Sequence, residues 1–230
     1  MEIKLQLIND YEIKDKIDPN YIKGGLIRRG YGNVYELYHG AHSATAEYVL
    51  KTLPANTYLY GDKCYSDRDI AMNEIYITKT MSDLGIAPLV YDIALDDSKG
   101  YIVMEKYDGT LQDLIYLYQT DKSIKLDEII VILKSYIEKM HEHGIVHRDL
   151  SSNNIMYKTD GSIAIIDYGF SIYSKNEKLR SYDYDVINEL IEIKKKIDNN
   201  EKFELKKIHL GGLVENFTFL YNGNICDDWS

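Results

Sequence analysis

Cysteine is nearly absent from this sequence: only Cys64 and Cys226 occur in 230 residues. Two are too few for a disulfide framework, which fits a reducing compartment. No apolar run approaches the roughly 20 residues that a membrane-spanning helix needs. The opening residues, Met1-Glu2-Ile3-Lys4-Leu5, lack the apolar region of a secretory signal. Positive charge is short as well. The formal net charge of −10 argues against a nucleic-acid surface built on bulk electrostatics and is compatible with a basic substrate. Three histidines fall close together, His141, His143 and His147, yet their spacing matches no closed zinc site and no cysteine accompanies them. These absences lead us to expect a soluble cytoplasmic protein, with the nucleus also open to it, that uses neither a membrane nor direct nucleic-acid contact.

The chain is long enough for one domain with a proper core or for two small lobes. Tyrosine is abundant at 22 residues beside many Ile, Lys and Asn. We read that as coding bias and assign the tyrosines no common function.

Residues 1–20 alternate weakly and close on Asp18-Pro19-Asn20, a turn signal that marks a peripheral arm. Leu26 to Leu37 reads as strand, glycine turn and strand, with Gly30-Tyr31-Gly32 at the turn. Glu47-Tyr48-Val49-Leu50-Lys51-Thr52-Leu53 is a strand carrying a lysine among apolar neighbours, a costly placement unless the lysine is paired. Residues 54–68 read as polar and turn-rich. From Asp69 to Leu84, Ile70, Met72, Ile75, Ile77, Met81 and Leu84 follow a largely helical period. Glu74, near the middle, is the candidate partner for Lys51; Glu47 lies too close on the same strand to fold back. Leu89–Leu95 and Tyr101–Glu105 form a hairpin through Asp96–Gly100. Thr110 caps a helix through about Tyr118. Leu126 to His143 is a longer helix whose stripe of Leu126, Ile129, Ile130, Leu133, Ile137 and Met140 faces a core, and Gly144 ends it.

The most informative stretch is Gly144-Ile145-Val146-His147-Arg148-Asp149-Leu150-Ser151-Ser152-Asn153-Asn154, followed by an apolar strand, a polar turn and Ile165-Ile166-Asp167-Tyr168-Gly169. The pair resembles the protein-kinase signature H-R-D-L-x-x-x-N followed by D-F-G. Together with Lys51 and Glu74 it identifies the chain as similar to a compact member of the eukaryotic-like protein kinase superfamily, over about residues 22–195. The fold class implied is α+β: a bilobal protein-kinase-like fold with a β-rich N-lobe and a shortened helical C-lobe. The N-lobe would occupy 1–105 with the glycine hairpin, lysine strand and C-helix, the hinge 106–109, and the reduced C-lobe 110–230.

The resemblance also assigns roles. Lys51, paired with Glu74, would hold the α- and β-phosphates of ATP. Asp149 would orient or deprotonate the attacking hydroxyl, and Asn154 and Asp167 would hold Mg2+ through hard oxygen ligands. Gly32 and Val34 would cover the nucleotide, Val49 would lie beside it, and Met156 would floor the adenine. Met104 would be the gatekeeper, the Glu105 carbonyl and Tyr107 N–H would read the adenine edge, and Asp108 could reach the ribose. His147 would pack the loop, as the buried His141 precedes it, and Arg148 would brace it or meet a phosphate. Asp183, with Asp185 as rival, would brace the loop from the start of a later helix that runs on through Ile187, Leu190, Ile191 and Ile193.

Several positions depart from the family pattern. Ile27 and Arg29 stand at the first two glycine positions of the loop, so Arg28 or Arg29 is available to supply charge to the phosphates. Ser151 and Asn153 follow the catalytic Asp, so the acceptor class is not readable there. No Ala-Pro-Glu follows Asp167, and Asp183 arrives within fourteen residues of Gly169. That brevity resembles small atypical kinases of the Bud32/PRPK type, the kinase subunit of a tRNA-modification complex. Phe203–His209 and Leu213–Tyr221 read as two last short helices before a polar tail. Three readings stand: a serine/threonine protein kinase, a small-molecule kinase or ATPase subunit of a complex, and a nucleotide-binding pseudokinase scaffold. Each takes ATP as ligand; the protein substrate or partner complex is unknown.

Overall fold

The computed structural model describes residues 13–30, 32–40, 45–55, 57–60 and 63–203. The arm before residue 13, Tyr31 at the hairpin tip, Cys226, and the expected helices and tail beyond residue 203 lie outside the described residues. Those residues divide into two compact units. The first runs up to Thr80 and takes in Leu89–Lys106; the second takes Met81–Pro88 and the described residues from Tyr107 onward. Strands dominate the first and helices the second, as an α+β kinase-like chain requires.

The first unit is built on an antiparallel sheet. Strands β1 (Tyr21–Arg29), β2 (Asn33–His39) and β3 (Tyr48–Pro54) are consecutive neighbours. Two short strands follow, β4 (Thr57–Tyr60) and β5 (Lys63–Ser66), paired only with each other. Helix α1 (Asp67–Asp83) comes next, then β6 (Val90–Leu95) and β7 (Lys99–Glu105). The five main strands lie in the order β1-β2-β3-β7-β6.

Alternation along these strands sorts side chains onto two faces. Leu37, Leu50 and Val103 form one cluster with Tyr35, Tyr48 and Tyr101 against it. Leu53, Ile102 and Met104 form the other, closed by Ala71 and Ile75 of α1. Each large side chain buried this way contributes about 1.5–3 kcal/mol, so α1 is held to the sheet by packing.

After Met81–Pro88, the second unit continues with β8 (Gly109–Thr110) and α2 (Leu111–Tyr118), where Thr110 and Asp113 form a reciprocal capping box. Helix α3 (Leu126–Glu142) buries Leu126, Ile129, Leu133, Ile137, Met140 and His141 on one stripe. Gly144, at φ +74°, turns the chain out of it through a left-handed conformation that glycine adopts without a Cβ clash. Strands β9 (Ile145–Val146), β10 (Ile155–Tyr157) and β11 (Ile163–Ile165) follow. β10 pairs with β11 on one side and β8 on the other. A 3-10 turn over Tyr168–Phe170 leads to β12 (Ile172–Tyr173), which pairs with β9. Helices α4 (Glu177–Asp183) and α5 (Asp185–Asp198) complete the described chain.

Three elements differ from the sequence reading. Residues 54–68 are not all turn: Thr57–Tyr60 and Lys63–Ser66 form a hairpin. Its Thr and Tyr residues favour a strand over the loop that their polarity suggested. Helix α4 was not foreseen; Asn176 caps it by accepting from the N–H groups of Lys178 and Leu179. In α5 the buried stripe is Val186, Ile187, Leu190, Ile193 and Ile197, while Ile191 is exposed. Ile191 is four residues after Ile187, which already lies at the edge of that stripe, and the extra rotation of about 40° carries it outside.

Candidate active site

In the first unit, Lys51 sits mid-strand on β3, opposite Val34 on β2 and Ile102 on β7. Its ammonium is paired with the carboxylate of Glu74, which reaches from α1 and is almost fully buried. A carboxylate so placed is costly unless its charge is met, and Lys51 meets it. Glu47 is engaged through its main chain, its carbonyl accepting from the Lys106 N–H at 3.1 Å.

Gly32 has a local reason to be glycine. A Cβ there would stand 2.6 Å from the Thr52 carbonyl oxygen, 3.0 Å from Leu53 Cδ2 and 3.5 Å from Lys51 Cε. The start of β2 therefore runs against the backbone of β3 beside the lysine stem. Val34 and Val49 share the face of Lys51, and Met104, opposite Val49, is buried there. At the end of β7, the Glu105 N–H donates to the Leu89 carbonyl at 2.9 Å. The Lys106 ammonium donates to Glu36 at 2.9 Å, and this hydrogen bond, with the charge behind it, holds the Glu36 carboxyl below its usual range.

In the second unit, the loop after β9 is shaped by one carboxylate. Asp183 is fully buried. Its Oδ2 accepts from the His147 N–H at 2.9 Å and from His141 Nε2 at 2.9 Å, and its Oδ1 accepts from the Arg148 N–H at 2.9 Å. The rival Asp185 is exposed at the start of α5. Arg148 is left-handed at φ +70°, an uncommon conformation for a bulky residue that costs about 1–2 kcal/mol. The bond from its own N–H to Asp183 offsets that strain. The Arg148 side chain is buried, and its two terminal guanidinium nitrogens find no hydrogen-bond partner among the described residues. Burial lowers its pKa, opposed by the charge of Asp183.

His147 Nδ1 accepts from the Asp149 N–H at 3.3 Å, so Nε2 carries the proton directed at the Ile166 carbonyl 3.0 Å away. The imidazole thus joins the loop to the segment just before Asp167. Asn154 Nδ2 donates to the Asp149 carbonyl at 2.8 Å and to Asp149 Oδ2 at 3.2 Å. Its main-chain carbonyl accepts from the Ile166 N–H at 2.9 Å. Asp167 is also left-handed, at φ +71°, and its negative charge is felt at Asp149. Burial raises the Asp149 pKa above the usual carboxylate range and Asp167 adds to the rise, while His147 and the Asn154 hydrogen bond oppose it.

This donor set suits a hard divalent cation: the carboxylate of Asp167 and the amide oxygen of Asn154, whose nitrogen is spent on Asp149. No group of three or more His, Cys, Asp or Glu able to hold a metal occurs among the described residues. A cation here would therefore complete its shell with phosphate and water, as Mg2+ commonly does.

Met156, on β10, faces Thr110 and Ala164 and is partly buried. The ring of Tyr107 lies under the Lys158 ammonium, 4.9 Å from the centroid. Asp108, considered for a ribose, accepts from the Thr159 N–H at 2.7 Å through Oδ2. Sequence reasoning missed Arg180, which donates from Nη2 to the His141 carbonyl at 2.8 Å and anchors α4 beside the loop. A signal existed in Asn176, a helix-capping residue four positions earlier.

A family model for the protein kinase domain matches residues 26–188, well over half of the chain. A protein named as probable serine/threonine-protein kinase PknB of Lactococcus lactis is 28% identical over 51% of this chain and 22% of its own length. A protein of Acanthamoeba polyphaga mimivirus named as a putative serine/threonine-protein kinase is 30% identical over 70% of this chain and 23% of its own. Calcium-dependent protein kinase 4 of Plasmodium falciparum is 33% identical over 49% and 23%. The chain spans about a quarter or less of the length of these relatives.

Replacing Asp183 with Ala removes a buried acceptor from three donors at once. Urea unfolding should show a loss of about 3 kcal/mol or more; a loss under about 1 kcal/mol would mean that the loop holds its shape without it. The Tyr168 hydroxyl is buried without a hydrogen-bond partner among the described residues. Tyr168→Phe should therefore stabilise the protein by about 1 kcal/mol in the same measurement, and destabilisation would reveal a partner for that hydroxyl.

Proposed function

Because the chain belongs to the protein kinase family, we propose that it is an ATP- and Mg2+-dependent phosphotransferase that moves the γ-phosphate to a serine or threonine hydroxyl of a protein. The observation that carries this reading is the pairing of Asp149 with Asn154 in a loop whose left-handed residue, Arg148, is held by a buried hydrogen bond from its N–H to Asp183. Phosphoryl transfer asks mainly for positioning and charge stabilisation, and a preorganised loop supplies both.

In the first unit, Lys51, oriented by Glu74, meets the nucleotide phosphates. Gly32, Val34 and Val49 lie against the nucleotide, and the main chain at Glu105 reads the adenine. In the second unit, Tyr107 contributes its N–H and Met156 an apolar floor. Asn154 and Asp167 hold Mg2+, which when bound neutralises phosphate charge. Asp149 orients the acceptor hydroxyl and takes its proton. His147, Arg148 and Asp183 set the loop. The serine/threonine assignment rests on the names of the relatives.

One observation favours a second reading, a small-molecule kinase or an ATPase subunit of a complex. After Gly169 the chain goes directly into β12 and α4, and the Ser174 N–H is bonded to the Gly144 carbonyl at 2.7 Å. Little free chain remains in that segment to dock a peptide.

Incubation with γ-labelled ATP and Mg2+ tests both readings. Label on protein should fall at least about a hundredfold in Asp149→Ala and Asp167→Ala, the scale of losing a positioned base. Free phosphate alone would favour the second reading, and normal nucleotide binding without turnover would reduce the chain to a scaffold.

The pH dependence has a definite sign. Asp149 is raised, so its proton-accepting form, present above that pKa, is lost as pH falls through it. The acid limb of kcat/KM should lie above the ordinary aspartate value of about 3.9. A limb at that value would contradict burial as the controlling influence.

A further inference from the structure

The hairpin of β1 and β2 keeps Gly32 but has Ile27 and Arg29 where the family pattern has its first two glycines, so fewer positions let the backbone close on phosphate. It carries Arg28 and Arg29 in that region. The strand register separates the two arginines. Arg28 lies opposite Val34, and Val34 lies opposite Lys51 on β3. Cross-strand partners project to the same face of a sheet. Arg28, Val34 and Lys51 therefore form one row across three strands, on the face whose core contains Leu53, Ile102 and Met104. Arg29 lies opposite Asn33, which lies opposite Thr52, on the other face.

A β-bulge produces this choice. Leu26 pairs with Tyr35 on the opposite face, and simple alternation would send Arg28 the same way. The register shifts between Leu26 and Arg28, and such a shift re-aims the following side chain. Both arginines are exposed, and the side chain of neither is bonded to another described residue. With neighbouring strands about 4.8 Å apart, the Arg28 and Lys51 backbones are separated by roughly 10 Å, with Val34 between them.

We propose that Arg28 is the phosphate-binding residue of this hairpin, a guanidinium that acts with Lys51 on the nucleotide polyphosphate. The chemistry suits the position. A guanidinium offers planar, bidentate donors to phosphate oxygens and stays charged at any physiological pH. Lys51 already shares its charge with Glu74, so a second cation on its face adds attraction for the outer phosphates. This inference rests on the nucleotide reading and extends it to a residue that the family pattern does not use.

The test is equilibrium binding of adenosine, AMP, ADP and ATP to the full chain and to Arg28→Ala, Arg28→Lys and Arg29→Ala, with melting curves to confirm folding. Arg28→Ala should weaken ADP and ATP about tenfold, the scale of one charge-assisted hydrogen bond, and leave adenosine unchanged. Arg28→Lys should restore part of the loss, and Arg29→Ala should stay within about twofold of the parent. Unchanged ATP affinity in Arg28→Ala, or an equal loss in Arg29→Ala, would overturn the assignment while leaving the nucleotide reading intact. A parent chain that binds none of the four ligands would overturn both.

Discussion

The second unit depends on a carboxylate that water never reaches. Removing a charge from water costs several kcal/mol unless hydrogen bonds replace the lost hydration. At Asp183 the replacement comes from the N–H groups of His147 and Arg148 and from the His141 ring. The same bonds fix two consecutive peptide units, and the residue they bend into the left-handed region immediately precedes Asp149. The position of the proposed base thus follows from the need to satisfy a buried acceptor. Asn154 then joins Asp149 at one end and Ile166 at the other, and His147 adds a second tie to Ile166. The loop and the segment that leads to Asp167 are one hydrogen-bonded body.

The first unit solves a different problem. It must hold a lysine inside a sheet without leaving an unmet charge. Alternation puts Lys51 on the side of α1, and Glu74 comes from the middle of that helix because Ala71 and Ile75, on either side of it, are packed on the sheet. Gly32 contributes by being small: the backbone of β2 comes against Thr52 and the lysine stem, so the hairpin and the lysine strand share one packing arrangement.

Much of this was legible in the sequence because the signals were local or periodic. The α3 stripe, the Thr110 cap, the Gly144 exit and the paired loop motifs each lie within a short window, where residue type and spacing dictate conformation. The α+β class followed from them. What stayed hidden depends on partners far along the chain. Ile191 looked like a core residue until the face of α5 was known. The β4–β5 hairpin was obscured by polar side chains whose strand preference outweighed their polarity. The choice between Arg28 and Arg29 needed the bulge in β1, a register fact that no window of sequence displays. Helix α4 hung on a single capping asparagine.

The bonds that shape the catalytic loop span 42, 36 and 35 residues of sequence. During synthesis the whole His-Arg-Asp motif therefore leaves the ribosome well before the residue that gives it form. Contacts of long sequence separation form late, because the loop-closure entropy must be met before they contribute. A fragment ending just short of Asp183 would contain Lys51, Glu74, Asp149, Asn154 and Asp167 and still lack the acceptor around which the last three are arranged. The motif is complete at Asp167, but its conformation is completed sixteen residues later.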